Sequence, residues 1–561
     1  KMYAELNHWV AVDDSACWSR NQLATDLMAY AGEKLAWEKP ELLKIPQDTL
    51  LTWTETYPEL KPYQQRYGNM FALQAHTLSE PEERILSLAF GITGSVDVNS
   101  AMQDIAETFA NADMDFPAIV DEKGDSVRPS YGSWRDVWRT SPNRRVREDC
   151  ARTVFGKYNT YGNTLAGLLA LQCKKDVFLA QARHYNTTLQ AALAPLFIPE
   201  GVYLNLIKGV RAGLEPLHKY EAIRKRVLLP EHYTLWHDFV SLGSAGDEKG
   251  KTWEESAAIV VEALKPLGEQ YGRDLAKVLD PQSGQVDVFT SHSKLAGAAC
   301  YTTSGAPGYM RFNVNYEKGL LFDNVSGVAH EAGHCLNSKY TELNQPLPLR
   351  DWNTLTNETP SSINEAFLVM KLIADARTEY RQAAGKEEED ARQRLIYLID
   401  SWLIWCRDIY RLTMFAEWEL RAHKLAEEGP PITKQNLSQL WSELTTEYYG
   451  SAMEQDELSN VFWAAYPHFY YGYYVYSYSV GGIASVVLAQ NIRAEYQGDK
   501  AKRGSTERYL NFIKAGSTKH PVELLKDAGI DMTTSAPIEE FAKYFSELVD
   551  ELDQLTQAGT D

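Results

Sequence analysis

The chain has 561 residues, of which 44% are hydrophobic and 24% are charged, and these values are ordinary for a globular protein with a large core. Its formal net charge of −20 argues against a binder of nucleic acid or of anionic membranes, because both functions need basic surface. The six cysteines are widely spaced and include no Cys-x-x-Cys pair, which indicates a reducing cytoplasm rather than a disulfide framework.

Apolar residues recur at spacings of three and four along most of the chain, and this pattern predicts a mainly α protein. The predicted helices cover residues 22–34, 101–110, 143–182, 202–224, 252–278, 364–386, 391–426, 434–446 and 538–556. Clusters of Gly, Pro, Asp and Ser predict breaks at 121–133, 243–251, 280–284 and 427–433. No run reaches 18 apolar residues, so we expect no membrane span, and we expect a frayed or solvated tail from Val549 onward.

Two short segments, 285–290 and 309–315, alternate apolar and polar residues and predict strands. A sheet edge at this point of the chain could bind a peptide as an added strand, through main-chain hydrogen bonds that demand no particular side chain. An ordinary structural hairpin is the alternative interpretation.

The most specific feature of the sequence is the pattern His-Glu-x-x-His at 330–334. On a helix, two histidines four residues apart present their imidazoles on one face and can bind one metal ion. The flanking sequence predicts that this helix runs from about 324 to 339, with Gly327 and Gly333 allowing a neighbouring backbone to approach closely. Cys335 follows the motif directly and should point away from the ligand face as a buried thiol.

A catalytic zinc site needs a third protein ligand besides His330 and His334, and it leaves the fourth position open for water. Glu358 is the best candidate, because Pro360 and the apolar residues after it predict that a helix starts there. Glu365 lies nearly two helical turns further on, so it shares a face with Glu358 and can accept the free ring N–H of a ligand histidine. The alternatives are a different third ligand and a histidine-bearing helix without metal.

Seven tyrosines are concentrated between positions 466 and 478, with His468 among them. A buried phenol needs a hydrogen-bond partner, whereas a phenol that faces a substrate carbonyl can donate to the oxyanion that forms when water attacks. We therefore expect one or two of these tyrosines to be catalytic, while a cleft or core position is the alternative for each of them. The apolar run 480–489 that follows predicts a buried helix beside the active site.

Together these segments resemble oligoendopeptidase F, within the thimet-oligopeptidase-like zinc peptidases. The resemblance covers roughly residues 85–550 and is carried by 163–166, 174–180, 329–334, 358–365, 468–481, 509–512 and 521–532. It implies a mainly α, elongated helical body with a deep substrate channel and a small β-sheet beside the zinc-binding helix. It divides the chain into an N-terminal helical region at 1–110, a helical subdomain at 111–190 and a zinc metallopeptidase domain at 191–561.

The resemblance implies one zinc ion per chain, bound by His330, His334 and Glu358. It makes Glu331 the general base and acid, and it places Glu365 in contact with the ligands rather than with the metal.

The resemblance also places His468, Tyr473 and Tyr476 where the family orients substrate and stabilises the oxyanion. Tyr476 is the first choice for the oxyanion. Tyr474 is the alternative, because the local backbone geometry decides which ring faces the metal.

The expected function is a zinc metalloendopeptidase that hydrolyses short unstructured oligopeptides by Glu-assisted attack of a zinc-bound water. Two positions depart from the family pattern, since Asn337 stands where a histidine often continues the helix and Ala332 replaces a bulkier apolar residue. Neither removes a ligand, so we expect activity with altered packing or subsite shape. The alternatives are a zinc carboxypeptidase or dipeptidyl carboxypeptidase with the same chemistry and, from another class, a noncatalytic peptide-binding protein.

Overall fold

The recurring apolar positions at helical spacing produce a mainly α structure, with two small sheets in the part of the chain that is described. The computed structural model describes residues 2–11, 14–89, 101–130, 134, 137–138, 141–229, 232–244, 250–291, 294, 297–314, 319–351 and 354–558. In this part of the chain, no helix has the length and apolar character that crossing a membrane requires.

Within the described residues, the helices of the first half are Met2–Val10, Ser15–Leu35, Glu38–Leu42, Gln47–Thr56, Gln64–Ala72, Glu80–Leu88, Ala101–Thr108, Arg144–Ala182, Thr188–Leu193, Glu200–Ala212, Glu215–Leu228, Trp253–Ala263 and Glu269–Leu279. Those of the second half are Phe322–Asn344, Thr354–Gln382, Lys386–Glu428, Lys434–Tyr449, Tyr476–Tyr496, Ser505–Phe512, Pro521–Ala528 and Ala536–Gln557. Short 3-10 turns join several of them, among which Pro467–Tyr470 leads into the tyrosine-rich segment.

Two predicted helices are each divided in the structure. The predicted helix 202–224 is two helices, because Pro216 occupies the first turn of a second one. The predicted helix 252–278 is interrupted by the turn Lys265–Leu267, after which Gly268 has a φ of 94° that favours glycine.

The prediction that a helix starts near Pro360 is wrong, because the helix Thr354–Gln382 begins earlier and contains Pro360 in its interior. The prediction of a frayed tail from Val549 is wrong as well. The helix Ala536–Gln557 buries Val549 and Leu552 among its apolar residues, so its apolar stripe outweighs the polar composition of the segment.

The larger sheet lies beside the predicted metal motif and has the strand order β3 (Val286–Asp287), β5 (Ala306–Asn313), β4 (Gly297–Thr303). Strand β3 is parallel to β5, and β4 forms an antiparallel hairpin with β5. Strand β5 confirms the predicted segment 309–315 as far as Asn313, with residue 315 outside the described residues. Strand β3 confirms only two residues of the predicted segment 285–290, and β4 was not predicted. Because β5 is central, β4 is an edge strand. The smaller sheet pairs β1 (Ile119–Val120) with β2 (Ser126–Val127).

The helix that carries the His-Glu-x-x-His motif belongs to a group of four packed helices. The histidine helix (Phe322–Asn344) and the tyrosine helix (Tyr476–Tyr496) both pack on the glutamate helix (Thr354–Gln382), and the long helix (Lys386–Glu428) packs on the latter two. Strands β4 and β5 cover another side of the histidine helix. The run 480–489 is buried throughout, which confirms the predicted buried helix.

Candidate metal centre and active site

The histidine helix presents His330 and His334 to the glutamate helix, one helical turn apart. The Nε2 atom of each imidazole lies 3.6 Å from Oε2 of Glu358. Among the described residues, these three form a cluster whose ligand atoms all lie within 4.8 Å of one another. Ligands at about 2.0–2.1 Å from a tetrahedral zinc ion lie roughly 3.4 Å apart, so the three side chains fit one such ion.

Glu365 holds His330 in the orientation that a ligand needs. The Nδ1 atom of His330 lies 2.9 Å from Oε2 of Glu365, and the hydroxyl of Ser326 donates to Oε1 of the same carboxylate over 2.9 Å. An Nδ1–H bonded to a carboxylate leaves Nε2 with its lone pair free for a metal. The contact expected for Glu365 is therefore present in the structure, and Ser326 is a partner that the sequence did not suggest.

The electrostatic field at the cluster favours a cation. Burial alone would lower the pKa of His330, but the carboxylates of Glu365, Glu331 and Glu358 raise it to about 10. Burial and the neighbouring His330 lower the pKa of His334 to about 4. The carboxylates thus favour positive charge between the imidazoles, and a divalent cation would supply it.

Gly333 allows the histidine and glutamate helices to touch. A Cβ atom at this position would lie 2.3 Å from the carbonyl oxygen of Pro360. The amide of Asn364 donates to the carbonyl of Ala329 over 3.0 Å, and the hydroxyl of Tyr271 donates to the Asn364 side chain. Gly327, in contrast, has open space around its hypothetical Cβ, so the expected close approach exists only at Gly333.

Glu331 lies on the side of the histidine helix that faces the sheet. Its side chain is buried, and its carboxylate accepts a hydrogen bond from the backbone N–H of Cys300 in strand β4. Burial raises the pKa of Glu331, and the neighbouring Glu358 and Glu365 add to this effect. The catalytic acid and base predicted from the motif is thus a buried carboxylate between the metal cluster and an edge strand.

Tyr474 and Tyr478 are the phenols associated with Glu358. Their ring centroids are 5.3 Å apart, and the ring of His468 lies 6.5 Å from that of Tyr474 and 5.8 Å from that of Tyr478. Burial raises the pKa of both phenols, that of Tyr474 to about 12, and the negative charge of Glu358 contributes to both shifts. These two tyrosines and His468 therefore form one aromatic group near the third ligand.

Tyr473 and Tyr476 have other neighbours. Tyr476 is 2% exposed, and its ring centroid lies 4.9 Å from that of Tyr203. The hydroxyl of Tyr473 lies 2.8 Å from that of Thr188, and its ring lies 4.5 Å from His423.

These contacts favour Tyr474, the alternative in the sequence prediction, over Tyr476 for a role at the oxyanion. The reason is the position at which the tyrosine helix begins. Tyr474 lies just before the helix and its ring meets that of Tyr478 in the first turn, whereas the ring of Tyr476 packs on Tyr203.

A buried carboxylate that the sequence did not suggest holds the loop before the tyrosine helix. Glu419 of the long helix accepts a hydrogen bond from the backbone N–H of Tyr473 over 2.6 Å. Tyr473 has a φ of 54° and follows Gly472 with a φ of 62°, so the chain turns through two left-handed residues here. Glu419 precedes this loop by 54 residues, and no local sequence signal connects the two.

Comparison with known proteins gives the same family as the motifs. Residues 258–543 match peptidase family M3, and residues 41–116 match the N-terminal region described as Oligopeptidase F. The chain is 34% identical to Oligopeptidase PepF of Bacillus subtilis over 554 residues, which are 99% of this chain and 78% of that protein. It is 30% identical to Group B oligopeptidase PepB of Streptococcus agalactiae, over 96% of this chain and 84% of that protein.

This chain belongs to the oligoendopeptidase F family of M3 peptidases. The crystal structure of oligoendopeptidase-F from Enterococcus faecium superimposes with a TM-score of 0.75 at 28% identity, over 99% of this chain and 90% of that one. Members of family M3 are metallopeptidases, which agrees with the cluster of His330, His334 and Glu358. The family membership thus identifies the chain as a peptidase whose substrates are peptides.

Proposed function

We propose that this oligoendopeptidase F relative is a zinc-dependent endopeptidase of short unstructured peptides, and that His330, His334 and Glu358 hold the zinc ion. The observation that carries the proposal is the convergence of these three ligand atoms next to the buried carboxylate of Glu331. When bound, zinc supplies a Lewis acid that polarises the peptide carbonyl and lowers the pKa of water at the site toward about 7.

Glu331 moves the proton in this mechanism. It takes a proton from the attacking water and then delivers that proton to the leaving amine. A raised pKa suits the first step, because the carboxylate accepts the proton more readily than an exposed glutamate does. The hydrogen bond from the N–H of Cys300 fixes the orientation of the carboxylate.

Tyr474 and Tyr478 donate hydrogen bonds to the carbonyl oxygen as negative charge develops on it. They fit this role because their rings lie against each other near Glu358, and because phenols with raised pKa values keep their protons at neutral pH. His468 lies against both rings and orients the substrate or the phenols themselves.

Strand β4 binds the peptide as an added strand. It is one of the two edge strands of the three-stranded sheet, and its Cys300 meets Glu331, so a peptide along this edge would pass the catalytic carboxylate. Main-chain recognition of this kind needs no free terminus, which favours an endopeptidase over a carboxypeptidase. A peptide blocked at both ends distinguishes the two, because an exopeptidase does not cleave it.

Glu331→Gln tests the proposal directly. The variant should bind about one zinc ion per chain, as the wild-type protein does, and lose almost all hydrolysis of a doubly blocked peptide. Zinc is measured by mass spectrometry of the metal, and cleavage is measured from the products. Wild-type protein that holds no zinc, or a variant with normal turnover, contradicts the proposal.

Three single substitutions by phenylalanine test the oxyanion role. Tyr474→Phe or Tyr478→Phe should reduce kcat roughly 100-fold or more, because one donor to the oxyanion is lost. Tyr476→Phe is the matched control and should change kcat much less, since its ring packs on Tyr203. A large loss of kcat in Tyr476→Phe alone would restore the first choice made from the sequence.

A further inference from the structure

Cys300 and Cys335 bring two sulfur atoms together beside the catalytic carboxylate. Their Sγ atoms are 2.6 Å apart, although the residues belong to different elements, strand β4 and the histidine helix. Cys335 is one residue after the ligand His334 and one helical turn after Glu331, so Glu331 and Cys335 face the same strand.

The packing around Cys335 leaves its sulfur directed at Cys300. Strand β5 lies directly over the thiol, because a Cβ atom at Gly308 would be 2.9 Å from Sγ of Cys335. Cys335 is 1% exposed, whereas Cys300 is partly accessible. A disulfide has an S–S distance of about 2.05 Å, so only a small movement of β4 toward the helix separates this pair from a covalent bond.

We propose that Cys300 and Cys335 are an oxidation site at which hydrogen peroxide forms a reversible disulfide, and that this disulfide slows peptide hydrolysis. The thiolate of Cys300, the more accessible sulfur, attacks one peroxide oxygen and forms a sulfenic acid while hydroxide leaves. The thiol of Cys335 then attacks the sulfenic sulfur, and water leaves. In total, two thiols and one peroxide give one disulfide and two waters.

Oxidation of Cys300 by peroxide should be slow, as it is for other buried thiols without an activating cation. Burial, and then the adjacent Cys335, raise the pKa of the Cys300 thiol, so little thiolate is present at neutral pH. The disulfide therefore forms slowly, under sustained oxidation, and a thiol reductant reverses it.

The disulfide would act on hydrolysis through Glu331. It ties β4 to the histidine helix at Cys300, whose N–H donates to the Glu331 carboxylate. A displacement of a catalytic group by a fraction of an ångström is enough to reduce turnover, so we expect a loss of roughly tenfold or more. This effect on hydrolysis rests on the proposed function, whereas formation of the bond does not.

The experiment treats the metal-loaded full chain with hydrogen peroxide and removes the peroxide with catalase. The protein is then unfolded and alkylated, and its peptides are identified by mass spectrometry. We expect a linked Cys300–Cys335 peptide, while Cys150 and Cys406, buried thiols elsewhere in the chain, remain alkylated as internal controls. Absence of the linked peptide, or equal oxidation of the control cysteines, overturns the proposal whether or not the protein cleaves peptides.

Activity is compared before oxidation, after oxidation and after reduction with dithiothreitol. The ratio of oxidised to reduced activity should be about 0.1 or less in wild-type protein, recover after reduction, and be near 1 in both Cys300→Ser and Cys335→Ser. Cys17→Ser is the matched control and should respond as wild type does. A linked peptide without loss of activity, or a loss that persists in the serine variants, refutes the regulatory half of the proposal.

Discussion

Gly333→Ala should disrupt the candidate metal centre without touching a ligand. The new methyl group would lie 2.3 Å from the Pro360 carbonyl oxygen, and real Cβ contacts essentially never fall below 3.0 Å. The obstacle is backbone, so the histidine and glutamate helices must move apart. Metal–ligand distances tolerate only about ±0.2 Å, so the separation of Glu358 from the two imidazoles should weaken zinc binding by about 100-fold or more.

The stability of Gly333→Ala reflects two opposing effects. Overpacking typically costs about 1–3 kcal/mol, and the contact with an unyielding backbone oxygen puts this substitution at the upper end. Replacing glycine by alanine inside a helix raises the free energy of unfolding by about 1 kcal/mol. We therefore expect the free energy of unfolding of Gly333→Ala to be about 2 kcal/mol lower than that of the wild-type protein.

Gly327→Ala in the same helix provides the control. Nothing lies within 4 Å of its added methyl group, so this variant should gain up to about 1 kcal/mol and keep its zinc. The assays are zinc content after competition with a chelator, thermal unfolding and cleavage of a blocked peptide. Equal zinc affinity in Gly333→Ala and Gly327→Ala would refute the reasoning that the helix contact sets the ligand geometry.

Two further substitutions test the surroundings of the site. Glu365→Ala should weaken zinc binding by about 10- to 100-fold, because His330 loses the acceptor for its Nδ1–H, and chelator competition that gives wild-type affinity would exclude this role. Glu419→Gln should change how stability depends on pH, because burial raises the pKa of Glu419 from 4.5 to about 7. Between these values the unfolded chain ionises and the folded chain does not, so wild-type stability falls as pH rises through this window, by at most about 3 kcal/mol. The melting temperature of the variant relative to wild type should therefore rise from pH 5 to 7 and then level off, and a pH-independent difference would contradict the assignment.

The metal-binding residues could be predicted because their arrangement depends on short-range geometry. Two histidines four residues apart share a helix face wherever the helix begins, so an error in its bounds does not matter. The same holds for Glu358 and Glu365, which are seven residues apart. The helix that carries them starts at Thr354, well before the predicted start, yet both carboxylates still reach the histidines.

The tyrosines could not be assigned in this way. Which tyrosine ring faces the metal depends on the residue at which the helix Tyr476–Tyr496 begins and on the turn before it. We identified no local sequence signal for either feature. The turn is held by Glu419, a residue distant in sequence, and its left-handed Tyr473 is unusual for a residue with a side chain. A sequence pattern therefore indicates that phenols are present but not which of them reach the substrate.

The metal ligands and the aromatic group are held in place by two different contacts. The imidazoles and Glu358 are brought together by one close backbone contact at Gly333, and the aromatic group is positioned by a buried carboxylate on a third helix. A substitution in either support should therefore affect a different step. Loss of the Gly333 contact should reduce metal occupancy, whereas loss of the Glu419 contact should leave the metal in place and reduce kcat, because only the donors to the oxyanion move. Measuring zinc content and kcat for Gly333→Ala and for Glu419→Ala, which removes the acceptor of the Tyr473 N–H, separates the two supports.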